Sequence, residues 1–286
     1  MFARNFSIEA TRPTFAELAE LAGILGNAAP IYLSSVPAQS YTELADIAAR
    51  VRVLGLEPIA HLSARRLASA DDLKEFLKRV RGQADMRRLL VIAGDNGEAA
   101  GPFKDALAVI TSGLLREAGI EEIGIAGYPE GHSHIPAQAI EAALAAKIAA
   151  AKSADLRLHI VSQFSFQPQA ILDWLKRLRA GGVDVPVKVG MAGPTSLPAL
   201  LRYAKRCGVR SSVQGLMSGA ASALVGQLGS GAVGPDRIVE TLRAAAGLGD
   251  IAPHYFSFGG VVKTARYARD TAEGRTPNER AIKQPN

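Results

Sequence analysis

The chain predicts a (β/α)8 barrel, an α/β fold, and three observations point to it. Along 286 residues, short segments of strand character alternate eight times with segments of helical period. The strand segments are nearly continuous in apolar residues, as in Leu89-Leu90-Val91-Ile92-Ala93, which suits parallel strands covered on both faces. Cap and turn signals mark the junctions, and no linker or internal repeat interrupts them. One barrel domain over residues 1–286 is therefore expected, with a loose polar tail from about residue 273. A doubly wound open sheet is the runner-up. It lacks support because no Gly-x-Gly-x-x-Gly follows the first strand and no Walker A sequence is present.

Residues 5–10 read as the first strand, and Pro13-Thr14-Phe15-Ala16-Glu17 opens a helix to residue 25 through a Thr-x-x-Glu capping box. Phe15, Leu18, Ala22 and Leu25 lie on one face of it. Residues 29–35 are the second strand, followed by a helix to residue 54 capped by Ser40-x-x-Glu43. Residues 58–62 are the third, and Ser69-x-x-Asp72 starts a helix to residue 80. The fourth strand, 89–93, breaks at Gly94-Asp95-Asn96-Gly97, and one helix over 103–118 follows.

The fifth strand, 122–126, stops in a polar turn, after which an alanine-rich helix covers 135–152. Residues 156–162 form the sixth strand, and its helix over 169–179 ends at Gly181-Gly182. The seventh strand is 186–190 with a helix over 197–207. From 208 to 248 only short helical pieces stand between glycine-rich turns. Residues 253–257 and 261–269 complete the eighth unit.

Hydrophobic residues make up 48% and charged residues 21%, enough apolar content for a sizeable core. The net charge of +6, from 33 basic and 27 acidic residues, is spread along the chain. Its densest places, Arg65-Arg66, Arg87-Arg88 and 275–283, carry no interleaved aromatics, which argues against nucleic acid and leaves room for an anionic ligand. The single cysteine, Cys207, excludes an internal disulfide, a cysteine-based zinc cluster and an iron–sulfur centre, and no metal is expected. Residues 1–6 have no apolar signal region, and no segment reaches about 18 uninterrupted apolar residues. A cytoplasmic protein without membrane association is expected.

Catalytic groups of such a barrel stand at the C-terminal ends of its strands. The polar residues there are Glu9, Ser35, His61, Asp95, Tyr128 with His132, Gln163 and Ser257. Two carboxylates, two imidazoles, a phenol and an amide would meet at one mouth, more than a purely structural barrel needs. The run Ala126-Gly127-Tyr128-Pro129-Glu130-Gly131-His132 is the densest contribution. Pro129 fixes φ there, and Gly127 and Gly131 permit close backbone approach, so Tyr128 and His132 can be aimed into one crevice.

These runs resemble the methylenetetrahydrofolate reductase family. Ser7-Ile8-Glu9, Gly94-Asp95, the Tyr-Pro-Glu-Gly-His run and Gln163-Phe164-Ser165-Phe166 occur in the family's order and near its spacing. The resemblance covers residues 6 to about 179 and, more loosely, the eighth strand. It implies a flavin-containing barrel that binds FAD, takes hydride from NADH or NADPH, and converts 5,10-methylenetetrahydrofolate to 5-methyltetrahydrofolate, with a folate as its small-molecule partner. It implies Glu9 as the general acid that opens the methylene bridge, and Asp95 beside the flavin and the pterin. Ser35, His61, Gly94, Tyr128 and His132 fall on flavin-contacting positions, Ser35 standing where the family usually has threonine. Lys147 would meet the flavin diphosphate, Gln163 the pterin, and Phe164 or Phe166 would supply stacking surface. His134 and His159 match nothing in the family and are read as surface and strand residues.

The departures point to a divergent branch. Ala93-Gly94-Asp95 stands where the family commonly has Arg-Gly-Asp, His254-Tyr255-Phe256-Ser257-Phe258-Gly259-Gly260 replaces the strand-eight signature, and 211–230 is too rich in glycine and alanine to align. Three other readings stay open: a reductase that transfers hydride directly without flavin, a non-catalytic barrel that binds folate or a protein, and a Schiff-base aldolase using Lys188. The sequence is also compatible with a homo-oligomer.

Overall fold

The computed structural model describes residues 2–206, 232–233 and 235–275. The helix end expected at Cys207, the segment 211–230 and the tail beyond residue 275 lie outside them.

Eight strands close into a barrel: β1 (Ser7–Ala10), β2 (Pro30–Leu33), β3 (Glu57–Ser63), β4 (Arg88–Ile92), β5 (Glu122–Gly127), β6 (Arg157–Ser162), β7 (Val187–Ala192) and β8 (Ile251–Phe256). Their order is β1-β8-β7-β6-β5-β4-β3-β2, the expected cyclic (β/α)8 arrangement. Parallel registers include Tyr32 opposite Ile59, His61 opposite Leu90, and His254 opposite Gly190. Helices α1 (Phe15–Leu25), α2 (Tyr41–Val53) and α3 (Ala70–Ala84) follow the first three strands. The capping boxes Thr14/Glu17 and Ser40/Glu43 both form, each satisfying two backbone N–H groups that the first helical turn leaves open. Ser69 caps α3 by accepting from the Asp72 N–H.

The single helix expected over 103–118 is instead two short ones, α4 (Ala106–Ile110) and α5 (Leu114–Glu117). Thr111 Oγ1 donates to Leu107 O and Ser112 Oγ to Val109 O, closing the last carbonyls of α4. Gly113 then turns the chain at φ +78°, a left-handed conformation that glycine adopts without a Cβ penalty. The remaining helices among the described residues are α6 (Ala137–Ser153), α7 (Pro168–Ala180), α8 (Leu197–Arg206), α9 (Asp236–Ala244) and α10 (Val261–Ala272). α9 is a nine-residue helix in a stretch expected to hold only fragments, and Ile238, Val239 and Leu242 bury its apolar face. Residues 2–5, expected partly as strand, form a 3-10 turn with Phe2 and Ala3 buried.

The residues group into two compact units. One comprises Glu9–Gly127 and Gln138–Val161. In it, β3 is buried from Pro58 through Ser63, so both faces of the strand are covered. Tyr32, Ile59, Leu90 and Val161 form an interior cluster with Ile92 packed against it. The other unit comprises Met1–Ile8, Tyr128–Ala137 and Ser162–Asn286. Ile171, Leu172, Trp174, Leu175 and Leu178 bury one face of α7 there, and α10 buries Val261, Ala265 and Ala268. Beyond α10, Arg275 pairs with Asp270 and Glu273, so the first residues of the expected tail are tied back to the helix. No helix among the described residues is long and apolar enough to cross a membrane.

Candidate active site

Glu9 lies near the end of β1 with its side chain only 13% exposed. Its Oε1 accepts from Ser34 Oγ at 2.8 Å, and its Oε2 lies 3.3 Å from His61 Nε2. Ser34 in turn lies 2.9 Å from Thr11 Oγ1, so a two-hydroxyl relay reaches the carboxylate. His61 is 7% exposed, and its Nε2 is a buried nitrogen without a hydrogen bond because the approach to Glu9 is out of line. A shielded carboxyl beside an imidazole and a hydroxyl donor is equipped for proton transfer. Arg12, close to Glu9 in sequence, instead donates to Ala38 O and lies 4.0 Å from Glu43.

Ser34 was not singled out by sequence; its neighbour Ser35 was. Ser35 Oγ accepts from Arg66 Nη1 at 2.5 Å, and the same guanidinium donates to Gln39 O and lies 5.2 Å from the centre of the Tyr41 ring. Burial pushes the Tyr41 phenol up to about 12 against the opposing charge of Arg66, so it stays protonated.

After β4, Gly94 takes φ +91°, and a Cβ there would come 3.1 Å from Ser63 Cβ. Asp95 next to it is exposed and makes no hydrogen bond or ion pair among the described residues, including the turn bond such a residue commonly forms. Lys147 on α6 is half-buried, and desolvation holds its ammonium below the usual lysine range, with Asp105 opposing.

The same unit contains a group that no sequence motif marks. Tyr32 OH lies 2.8 Å from His159 Nε2, and His159 Nδ1 lies 2.8 Å from Glu122 Oε1 in a short but bent contact. Tyr32 is fully buried and His159 is 3% exposed. The contact with His159 is the main reason the Glu122 carboxyl sits below the usual glutamate range, with Arg88 and Arg157 adding to it.

In the other unit, Tyr128 and His132 are brought together as expected, their rings edge-to-face with centroids 5.6 Å apart. His132 Nδ1 accepts from the His134 backbone N–H at 3.2 Å, which leaves Nε2 as the protonated nitrogen of the neutral ring. Gln163 Oε1 accepts from Phe164 N at 3.1 Å. Phe164 is 1% exposed, enclosed edge-on by Phe166, Phe256 and Phe258 at 5.0 to 5.6 Å. The three enclosing rings are partly exposed, and Phe258 stacks on Tyr203 at 4.1 Å. Sequence reading found Phe164 and Phe166 but not Phe256, Phe258 and Tyr203, whose contribution depends on how distant segments pack. His254, fully buried on β8, bonds Ser7 Oγ at 2.9 Å through Nδ1.

A family model for methylenetetrahydrofolate reductase matches residues 33–218, more than half of the chain. A 5,10-methylenetetrahydrofolate reductase of Pectobacterium carotovorum subsp. carotovorum is 29% identical over 157 residues, covering 54% of this chain and 50% of that protein. Methylenetetrahydrofolate reductase 2 of Saccharomyces cerevisiae is 28% identical over 171 residues, covering 56% of this chain and 27% of that protein. The matched region thus spans half or less of these relatives' length. A solved Clostridium thermocellum protein, described as binding two copies of 5-methyl-5,6,7,8-tetrahydrofolic acid, superposes with a TM-score of 0.59. The superposition covers 94% of each chain at 11% identity, a likeness of fold. The family match, the strand-end motifs and the barrel agree: the chain belongs to the methylenetetrahydrofolate reductase family.

Proposed function

We propose that the chain is a flavin-dependent oxidoreductase that interconverts 5,10-methylenetetrahydrofolate and 5-methyltetrahydrofolate, with NADH or NADPH as hydride source. In this reading residues 1–286 act as a single catalytic domain. The observation that carries it is the shielded Glu9 carboxyl, held by Ser34 and facing His61.

Glu9 delivers its proton to the bridge nitrogen that leaves the methylene carbon, which exposes an iminium at N5 of the folate as hydride acceptor. Ser34 orients the carboxyl from one oxygen, and His61 screens the other from water. Asp95, with an uncommitted carboxylate, hydrogen-bonds the pterin ring. Gln163 adds an amide contact, and Phe166 supplies stacking surface beside the enclosed Phe164.

Several features fit FAD. Gly94 keeps its surroundings free of a side chain, the half-buried ammonium of Lys147 suits a diphosphate, and His61 is assigned from its family position. Ser35, Tyr128 and His132 are assigned to the same cofactor from their family positions. Bound FAD would supply the two-electron carrier between nicotinamide and folate.

Ala93, where the family commonly has arginine, favours a second reading: direct hydride transfer without flavin. The experiment is formation of 5-methyltetrahydrofolate from 5,10-methylenetetrahydrofolate and NADH by purified protein, with and without added FAD. Turnover that requires FAD supports the proposal, equal turnover without flavin supports the second reading, and folate binding without turnover leaves a non-catalytic barrel.

A further inference from the structure

His159 lies outside every motif of the sequence, yet it is an almost wholly buried imidazole with a polar partner at each ring nitrogen. β5 makes the place for it twice over. Glu122 at its start approaches Nδ1, and Gly124 two residues on leaves the room. A Cβ at position 124 would come 2.7 Å from His159 Nε2 and 3.2 Å from Cε1. A glycine that admits a ring and an acid that grips it form a built environment, not a chance contact.

With its proton on Nδ1, 2.8 Å from Glu122 in a bent contact, the neutral ring presents the Nε2 lone pair to Tyr32, whose O–H donates to it. Burial pushes the Tyr32 phenol far above its ordinary range, so it remains a donor. The Tyr32 ring stands edge-on between two imidazoles, 6.2 Å from His159 and 6.4 Å from His61 by ring centroids. Its hydroxyl is held by His159, and its ring meets that of His61 edge to face. His61 Nε2 in turn faces Glu9 Oε2 at 3.3 Å. Contacts therefore run from the Glu122 carboxylate on β5 to the Glu9 carboxyl on β1, and Tyr32 feels the charges of both as well as that of Arg88.

We propose that His159 is a positioning residue for the Glu9 acid, acting through Tyr32 and His61; this rests on the role of Glu9 given above. The Tyr32 ring, locked by His159, holds His61 in the one orientation that shields Glu9. Without the lock His61 gains rotamer freedom, water reaches the carboxyl, and proton delivery to the folate slows. The charged and titratable groups facing this chain of contacts are Glu122, Arg88 and Arg157 at the His159 end and Glu9 with His61 at the other.

The test measures folate reduction against pH for full-length Tyr32→Phe, His159→Leu and the double variant, with Glu9→Gln and thermal melting alongside. Each single variant is expected to lower kcat about tenfold, because misplaced catalytic groups cost rate steeply. Each should move the pH limb belonging to the acid down by about half a unit or more as water gains access. NADH oxidation by an artificial acceptor should hold. The double variant should match the single ones, since both break the same link. His159→Gln, whose amide oxygen can accept the Tyr32 O–H, should recover most of the rate. A wild-type pH limb in Tyr32→Phe and His159→Leu, with Glu9→Gln inactive toward folate, would overturn the proposal whether or not melting falls. Full folate reduction by Glu9→Gln would remove the acid itself and so separate that failure from failure of the positioning chain.

Discussion

Replacing Glu9 by glutamine keeps the shape that Ser34 and His61 surround and removes only the transferable proton. Folate reduction is expected to fall by about a hundredfold or more, the usual yield of a positioned acid. Oxidation of NADH by an artificial acceptor should persist, and steady-state assays of both activities check this. Ser34→Ala leaves Oε1 without its hydroxyl donor, and a drop of about tenfold in kcat follows from losing one hydrogen bond to an ionisable group. An unchanged kcat in Ser34→Ala would mean that this hydroxyl does not serve the acid. Glu9, His61, Asp95 and the Tyr128 to His132 run were legible as candidates because each lies in or just beyond the C-terminal part of a strand, and a strand end is visible in sequence. Ser34 was not, because the strand expected over 29–35 ends at Leu33 and the chain beyond it brings Ser34, not Ser35, to Glu9. Nor was His159, whose partner Tyr32 is 127 residues away in sequence.

At the scale of elements, local chemistry was the most readable. Both predicted capping boxes form, because each is a closed exchange between a hydroxyl and a glutamate three residues on. The break between α4 and α5 was missed because the apolar periodicity of 103–118 continues through it, while the side-chain bonds of Thr111 and Ser112 decide the matter locally. This has a measurable consequence at Gly113. In a continuous helix Gly113→Ala would stabilise by about 1 kcal/mol. Here the nearest atom to an added Cβ is Glu117 Oε1 at 3.7 Å, so space is ample, but φ of +78° penalises any Cβ. Gly113→Ala should therefore destabilise by about 1 kcal/mol, read from urea denaturation of the two proteins.

Over the whole molecule, the closed order of eight strands was legible from their continuous apolar character. The grouping of residues into two compact units was not, since its boundaries follow spatial contacts between distant segments and no change of composition marks them. Folding stability should carry the signature of one buried contact. His159 draws the Glu122 carboxyl below its unfolded range, so the unfolded chain takes up this proton at higher pH than the folded one. The stabilisation is present above the ordinary glutamate range and is lost as pH falls from there through the lower range of the folded state. Glu122→Gln should show a flatter decline in denaturation midpoint on acidification than the wild-type chain. Acid-assisted reduction of a folate by bound flavin is tested under anaerobic conditions by the visible absorbance of protein reconstituted with FAD. NADH is expected to bleach it in wild type and in Glu9→Gln alike, and 5,10-methylenetetrahydrofolate to restore it only in wild type. A protein that binds no FAD would exclude the flavin, and a Glu9→Gln variant restored at the wild-type rate would exclude Glu9 as the acid.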